Sequence, residues 1–359
     1  MRIATPEHNL DLQEEGTPGD RPSLLRRRVA LRSRPWPVRC LPVVAALLLW
    51  SVACSDQRGE RPVLSEAAGE PLPQGAQARS LLGETFFPPP LPDDLEESRR
   101  ADLAEARRAL EADSSDAEAW IWVGRRQAYL GEYRAAIETF TRGIERFPED
   151  PRFYRHRGHR YLTVRELERA RADLERGLEL ARGHPDQVEP DGLPNALGVP
   201  LSTLHFNLWY HLGLARYVEG DWAGAAEAWT ACMEVSGNPD LRVATSYWLN
   251  LTLRRLGRDD EAAALLERLP EPDEVIENDA YLSLLRLFLG DDAEADVLEG
   301  RDPASLGGAT LGYGVAAHHL LQGREDAGRA LLQRVLEAPE QWPTFGYLAA
   351  EAEVARRGW

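Results

Sequence analysis

Residues 117–150 read AEAWIWVGRRQAYLGEYRAAIETFTRGIERFPED. Trp120, Val123 and Gly124 recur at helical spacing, break at Gly131-Glu132, and give way to a second helical stripe through Ala136 and Phe140. Glycine ends one helix, while Pro148 and Asp150 stop the second and prepare a third. The stretch therefore predicts two antiparallel helices joined by a tight turn. Numbered from 1 to 34, it places Trp120, Val123, Gly124, Ala136, Phe140 and Pro148 at positions 4, 7, 8, 20, 24 and 32.

Working outward, the frame returns, and a fixed period is the mark of a repeat array. The next copy has Tyr154, Gly158, Tyr161, Ala170 and Leu174 at positions 4, 8, 11, 20 and 24. A third carries Trp209, Leu212, Gly213, Ala225, Trp229 and Cys232 at 4, 7, 8, 20, 24 and 27. A fourth has Leu249, Leu253, Ala262, Leu266 and Leu269 around a turn at Gly257, and two weaker copies turn at Gly290 and Gly323. Position by position this resembles the tetratricopeptide repeat, as in exported bacterial lipoproteins that carry such repeats. Gln127 departs from the family, which prefers Tyr at position 11.

The resemblance covers about 95–359 and implies an all-α, right-handed α-solenoid of about six stacked helix-turn-helix units. Small residues at 8 and 20 let the paired backbones approach, and apolar residues at 4, 7, 11 and 24 fill the seam. One pair cannot bury its apolar face alone, so the units stack. Residues 101–113 are expected as a leading helix and Phe345–Arg356 as a closing one. No run of alternating β-branched residues predicts a sheet.

Residues 1–53 read as an export signal. A basic cluster (Arg26, Arg27, Arg28, Arg32, Arg34, Arg39) precedes an apolar run of 13 residues from Leu41 to Ala53. That is short for a membrane span, which needs about 20 residues, and suits a signal h-region. Ser51-Val52-Ala53-Cys54 resembles the bacterial lipobox, with Ser51 where Leu is usual, and this implies lipid attachment at Cys54. Plain secretion and an uncleaved anchor are the alternatives. The expected address is the bacterial cell envelope. From 54 to 94 the chain is rich in Pro and Gly and reads as a flexible tether, with Phe86 and Phe87 expected to dock on the first helices.

The chain of 359 residues has net charge −17, and all 42 of its basic residues are Arg. Residues 1–53 hold eight Arg and five acidic residues, so the remainder stands at −20. Such acidity argues against nucleic acid as the partner, because phosphate binding needs a basic stripe. Yet the positions that line the concave groove in the family carry the opposite sign. They are Trp122, Arg125 and Tyr129 in copy one, and Arg152, Arg155, His156 and His159 in copy two. Copies three and four add Tyr210, His211, Trp248, Arg254 and Arg255. A positive lining focuses field toward an anionic ligand, so the expected partner is a protein or peptide that is acidic or bears a free carboxylate. Packing between repeats is the competing reading of the same residues.

Between copies two and three lies GHPDQVEPDGLPNALGVPLS, residues 183–202, too long for a repeat connection. It is expected as a flap over the groove rather than an idle insertion. The His156/His159/His211 cluster supports an alternative, a small-molecule- or metal-handling protein or even an enzyme. Arg155, Arg157 and Arg160 would repel a metal cation, so no metal and no cofactor are expected. GxSxG, HExxH, phosphate-loop and dinucleotide signatures are absent, and the expectation is a non-enzymatic scaffold.

Overall fold

The structure, a computed structural model, describes residues 71–195, 197–299 and 307–359. The expected export signal, Cys54 and the first part of the expected tether lie outside the described residues. Within them the chain forms the expected all-α array. A leading helix α1 (Asp93–Ala112) is followed by six pairs: α2 (Ala117–Tyr129) with α3 (Tyr133–Arg146), α4 (Pro151–Thr163) with α5 (Leu167–Ala181), and α6 (Leu204–Glu219) with α7 (Trp222–Val235). Then come α8 (Pro239–Arg255) with α9 (Asp259–Leu266), α10 (Asp279–Leu289) with α11 (Glu294–Leu298), and α12 (Gly308–Leu321) with α13 (Glu325–Leu336). Helix α14 (Phe345–Arg357) closes the chain.

Local chemistry explains the boundaries. Asp116 and Asp150 accept hydrogen bonds from the backbone N–H of Glu118 (2.9 Å) and Arg152 (3.0 Å), which caps α2 and α4. Pro151 and Pro239 occupy the first turn of α4 and α8, where no N–H is needed. The small residue at position 8 is set by close approach: a Cβ on Gly124, Gly158 or Gly213 would lie 2.4, 2.9 or 2.7 Å from Phe140, Leu174 or Trp229. These three partners are the residues at position 24. Gln127, the departure from the family pattern, is buried and accepts a hydrogen bond from Thr139 across the pair at 2.7 Å.

Five of the six turns within pairs use a glycine with positive φ, at Gly131, Gly220, Gly257, Gly290 and Gly323. The second pair turns instead on Arg165, φ 67°, the only non-glycine with positive φ among the described residues. A left-handed L-residue costs roughly 1–2 kcal/mol, so a compensating contact is expected. Arg165 supplies it: its buried guanidinium donates to Glu351, to the carbonyl of Thr163 (2.6 Å) and to that of Trp342 (2.7 Å).

Those contacts come from the far end of the chain. Helix α14 packs on α12 and α13, and also on α6. Every residue from Phe345 to Val354 is buried. Its two mid-helix carboxylates face arginines, Glu351 with Arg165 and Glu353 with Arg255, Arg356 and Arg357.

The expectation of a flexible tether over 54–94 does not hold from residue 71 onward. A short antiparallel hairpin, β1 (Ala78–Arg79) with β2 (Thr85–Phe86), is pinned to both ends of the array. Arg134 donates to the carbonyl of Gln77 (2.7 Å), and Trp342 donates its indole N–H to the carbonyl of Phe87 (2.8 Å). Phe86 stacks on Trp342 at 5.1 Å, at the C-terminal end of the chain rather than on the first helices, while Phe87 stays exposed. No helix among the described residues is long and apolar enough to cross a membrane.

Candidate partner-binding face

The stripe expected to line the groove divides into two environments. In the first two copies it is polar. Arg125, Tyr129, Arg155, His156 and His159 are all buried, and Trp122 is half-buried beneath the Arg125 and Arg126 guanidinium groups, 4.4 and 5.0 Å from its ring centroid. Arg155 donates to His156 Nδ1 (2.9 Å), and the ring centroids of His159 and His211 are 4.0 Å apart. His211 Nδ1 contacts the Asn207 carbonyl. Burial, and then the charge of neighbouring arginines, holds all three imidazoles well below their ordinary pKa. They are therefore neutral at pH 7.

What covers this polar patch is the inserted loop. Its ends are tied together, Glu189 N–H to the Ser202 carbonyl (3.0 Å) and Leu204 N–H to that of Gln187 (2.9 Å). Between them, Glu189 forms an ion pair with Arg155 at 2.7 Å, and the carbonyls of Pro190 and Gly192 accept from Arg125 (2.9 Å) and Arg126 (3.4 Å). Asn195 anchors the far side by donating to Glu277 and to the Val199 carbonyl (2.7 Å). The loop turns apolar residues outward, with Val188 60%, Leu197 66% and Val199 46% exposed. It lies over the basic stripe and presents it with one carboxylate and two carbonyls.

From copy three onward the stripe is aromatic core, and this corrects the expectation that Tyr210, Trp248 and Arg255 line an open groove. Trp248 donates to the Tyr210 hydroxyl (2.9 Å) and stacks near Trp229 and Tyr313. Tyr217 and Tyr313 share a 2.7 Å hydrogen bond between α6 and α12, and Arg255 donates to Tyr217 (3.1 Å). Arg255 also pairs with Glu353 of α14 at 2.8 Å. Burial alone would raise the Glu353 carboxyl, but Arg255, Arg356 and Arg357 hold it at about 2. Phe345 of the same helix lies 5.5 Å from the His159 ring and 5.7 Å from that of His211, so α14 reaches into both environments.

Two expected groove residues stand apart. Arg152 bonds to Asp150 and Glu118 on neighbouring helix starts. Arg254 reaches Asn250 and Asp259 and lies over the Phe288 ring. The residues that sequence reasoning missed are Glu189, Arg165, Glu351, Glu353 and Phe345. Arg165 carried a readable signal, since it replaces the glycine used at every other turn. So did Glu351 and Glu353, two carboxylates in the otherwise apolar run from Phe345 to Val354. Among the described residues no group of three or more His, Cys, Asp or Glu is placed to hold a metal ion. His318 and His319 both approach the Glu294 carboxylate, at 3.5 and 3.2 Å.

No protein-family model matches the chain, and no curated protein matches it. Solved structures with related helical repeats do. One is YrrB, a tetratricopeptide-repeat protein with an unusual peptide-binding site, at 15% identity and TM-score 0.36, covering 65% of this chain and 91% of its own. MamA matches at 17% and TM-score 0.37, over 49% of this chain and 93% of its own. The Thermus thermophilus protein TTC0263, also of this repeat type, matches at 20% and 0.39, over 54% and 91%. Scores and identities this low carry no inference about what the present chain binds.

Proposed function

We propose that the chain is an exported interaction scaffold, lipid-anchored through Cys54 in the cell envelope, that binds an acidic or carboxylate-bearing polypeptide on the inner face of its first two repeats. The loop at 183–202 gates that face, and the later repeats brace it. The observation behind this reading is that the loop sits on the stripe as a ligand would. Its Glu189 carboxylate engages Arg155, and its carbonyls engage Arg125 and Arg126. A partner segment offering the same groups can take the loop's place without leaving a buried arginine uncompensated, which is the costly outcome for a buried charge. A repeat fold hosts many functions, so the site chemistry, not the fold, carries the reading.

Affinity capture of native partners tests it, using the full chain and a variant with Arg125→Glu and Arg155→Glu. The double variant is expected to lose its partners, and wild-type binding is expected to weaken as salt rises. Identical partners from both proteins would sink the proposal. Cys54→Ala is expected to move the protein from the membrane to the soluble fraction.

A further inference from the structure

Among the polar side chains near the inserted loop sits a group whose hydrogen bonding is incomplete. His159 is 1% exposed, and neither of its ring nitrogens has a hydrogen-bond partner. A neutral imidazole carries one donor and one acceptor, and a buried polar side chain left without either calls for an explanation. Its surroundings specify the sign of the missing partner. On α4 the neighbouring groups are Arg155, His156 and Arg160, and on α6 His211 lies 4.0 Å away, ring to ring. Helix α2 contributes Arg125, which faces His156. Helix α14 contributes the Phe345 ring, and the loop contributes Glu189, whose carboxylate is engaged by Arg155.

We infer that this enclosed cluster binds a compact oxyanion, a carboxylate or a sulfate- or phosphate-like group, between His159, His211 and Arg155. A cation is disfavoured, because the nearest full charges on α4 and α2 are guanidinium groups. A large ligand is disfavoured, because His159 is buried and the Phe345 ring lies against both imidazoles. An anion entering here supplies acceptors to the histidine nitrogens in a field set by the neighbouring guanidinium groups. It also draws one proton from solvent onto His159 or His211, turning a neutral imidazole into an imidazolium, with no covalent bond otherwise made or broken. The inference does not rest on the gated-groove reading: a free ion could occupy the cluster even if no polypeptide ever did.

Calorimetric titration of the full-length chain with sodium acetate and with sodium sulfate tests it, against sodium chloride at equal ionic strength. Neither probe changes protonation between pH 6 and 8. The expected result is saturable binding that takes up about one proton and tightens by up to about tenfold per unit fall in pH. Proton uptake is read from the dependence of the binding heat on the buffer's ionisation enthalpy. The double variant His159→Gln with His211→Gln is expected to keep the circular dichroism spectrum and lose the uptake, and Arg155→Gln to weaken binding at least about tenfold, the loss of a charge-assisted contact. A blocked peptide whose only carboxylate is a single Glu forms the third arm. Binding of the free ions alone assigns the site to a small molecule, and equally tight peptide binding assigns it to a carboxylate borne by a polypeptide. Absence of saturable binding at millimolar concentration, or binding without proton uptake, overturns the inference. The wild-type arm decides the matter should either variant fail to fold. Loss of captured partners from the groove variant, without anion binding in the wild type, would leave the scaffold reading intact and this inference wrong.

Discussion

The early and late repeats put the same register positions to different work. In copies one and two those positions hold Arg and His beside Trp122 and Tyr129, and an extended loop lies over them through a handful of polar contacts. In copies three and four Tyr210 and Trp248 are locked into ring packing that the Tyr217–Tyr313 hydrogen bond extends, with α14 seated across them, while His211 stays with the polar cluster and Arg255 pairs with Glu353. The difference is one of desolvation. Aromatic rings gain from losing water, so a stripe of them closes on itself. Guanidinium and imidazole groups lose hydration when covered, and they tolerate it only where acceptors arrive with the cover. The acidic chain supplies such acceptors from three places: Glu189 on the loop, and Glu351 and Glu353 on α14. A covered surface held by replaceable polar contacts is the one where exchange with a partner costs least.

The largest test of this contrast is truncation of one tryptophan on each side. Trp248→Ala is expected to cost about 3–5 kcal/mol, as for a fully buried large aromatic, whereas Trp122→Ala should cost under about 1 kcal/mol because its ring is half-buried. Chemical denaturation of the two variants measures this, and similar losses would erase the distinction. Next comes Arg165→Met, which removes the partner of a buried carboxylate and is expected to cost about 3 kcal/mol. Adding Glu351→Gln should recover part of that loss; a double variant no better than Arg165→Met would refute the pairing.

The smaller tests concern protons and the loop. The three imidazoles have folded pKa values depressed below 6.5, so below that pH the unfolded chain binds more protons than the folded one. Stability is then full above the unfolded value and falls with pH, by about 1.4 kcal/mol per histidine per unit at most. Replacing His156, His159 and His211 together by Gln should flatten the slope between pH 7 and 5. Glu353, held at about 2, contributes in the same direction at lower pH: its stabilisation is present above the unfolded carboxyl value and is lost between roughly 4.5 and 2. Last, shortening the loop by replacing 186–200 with a brief glycine-serine link should change stability by under about 1 kcal/mol. It should also raise capture of acidic partners; a large loss of stability would make the loop a structural member, not a gate.

Much of this was open to reading from the linear chain. The helix pairs at 117–150 and 151–184 follow from apolar spacing and turn residues only a few positions apart, and the Gly124–Phe140 approach could be read from the repeat register. The basic and aromatic make-up of the stripe was also legible. Its fate was not, since Tyr210 and Trp248 look alike as groove or core until α12 and α14 are placed beside them. The tether was misread from Pro71 on, because composition reports the local cost of ordering and not the docking of Phe86 on Trp342.

The chain alone determined that about six helical hairpins form and where the first two begin, because a hairpin is held by residues within about one period of each other. Tertiary structure decided which distant charges meet. Arg165 meets Glu351 across 186 positions and Arg255 meets Glu353 across 98, and no local pattern encodes such pairs. They exist because burying a charge requires an opposite one nearby, wherever along the chain it happens to lie.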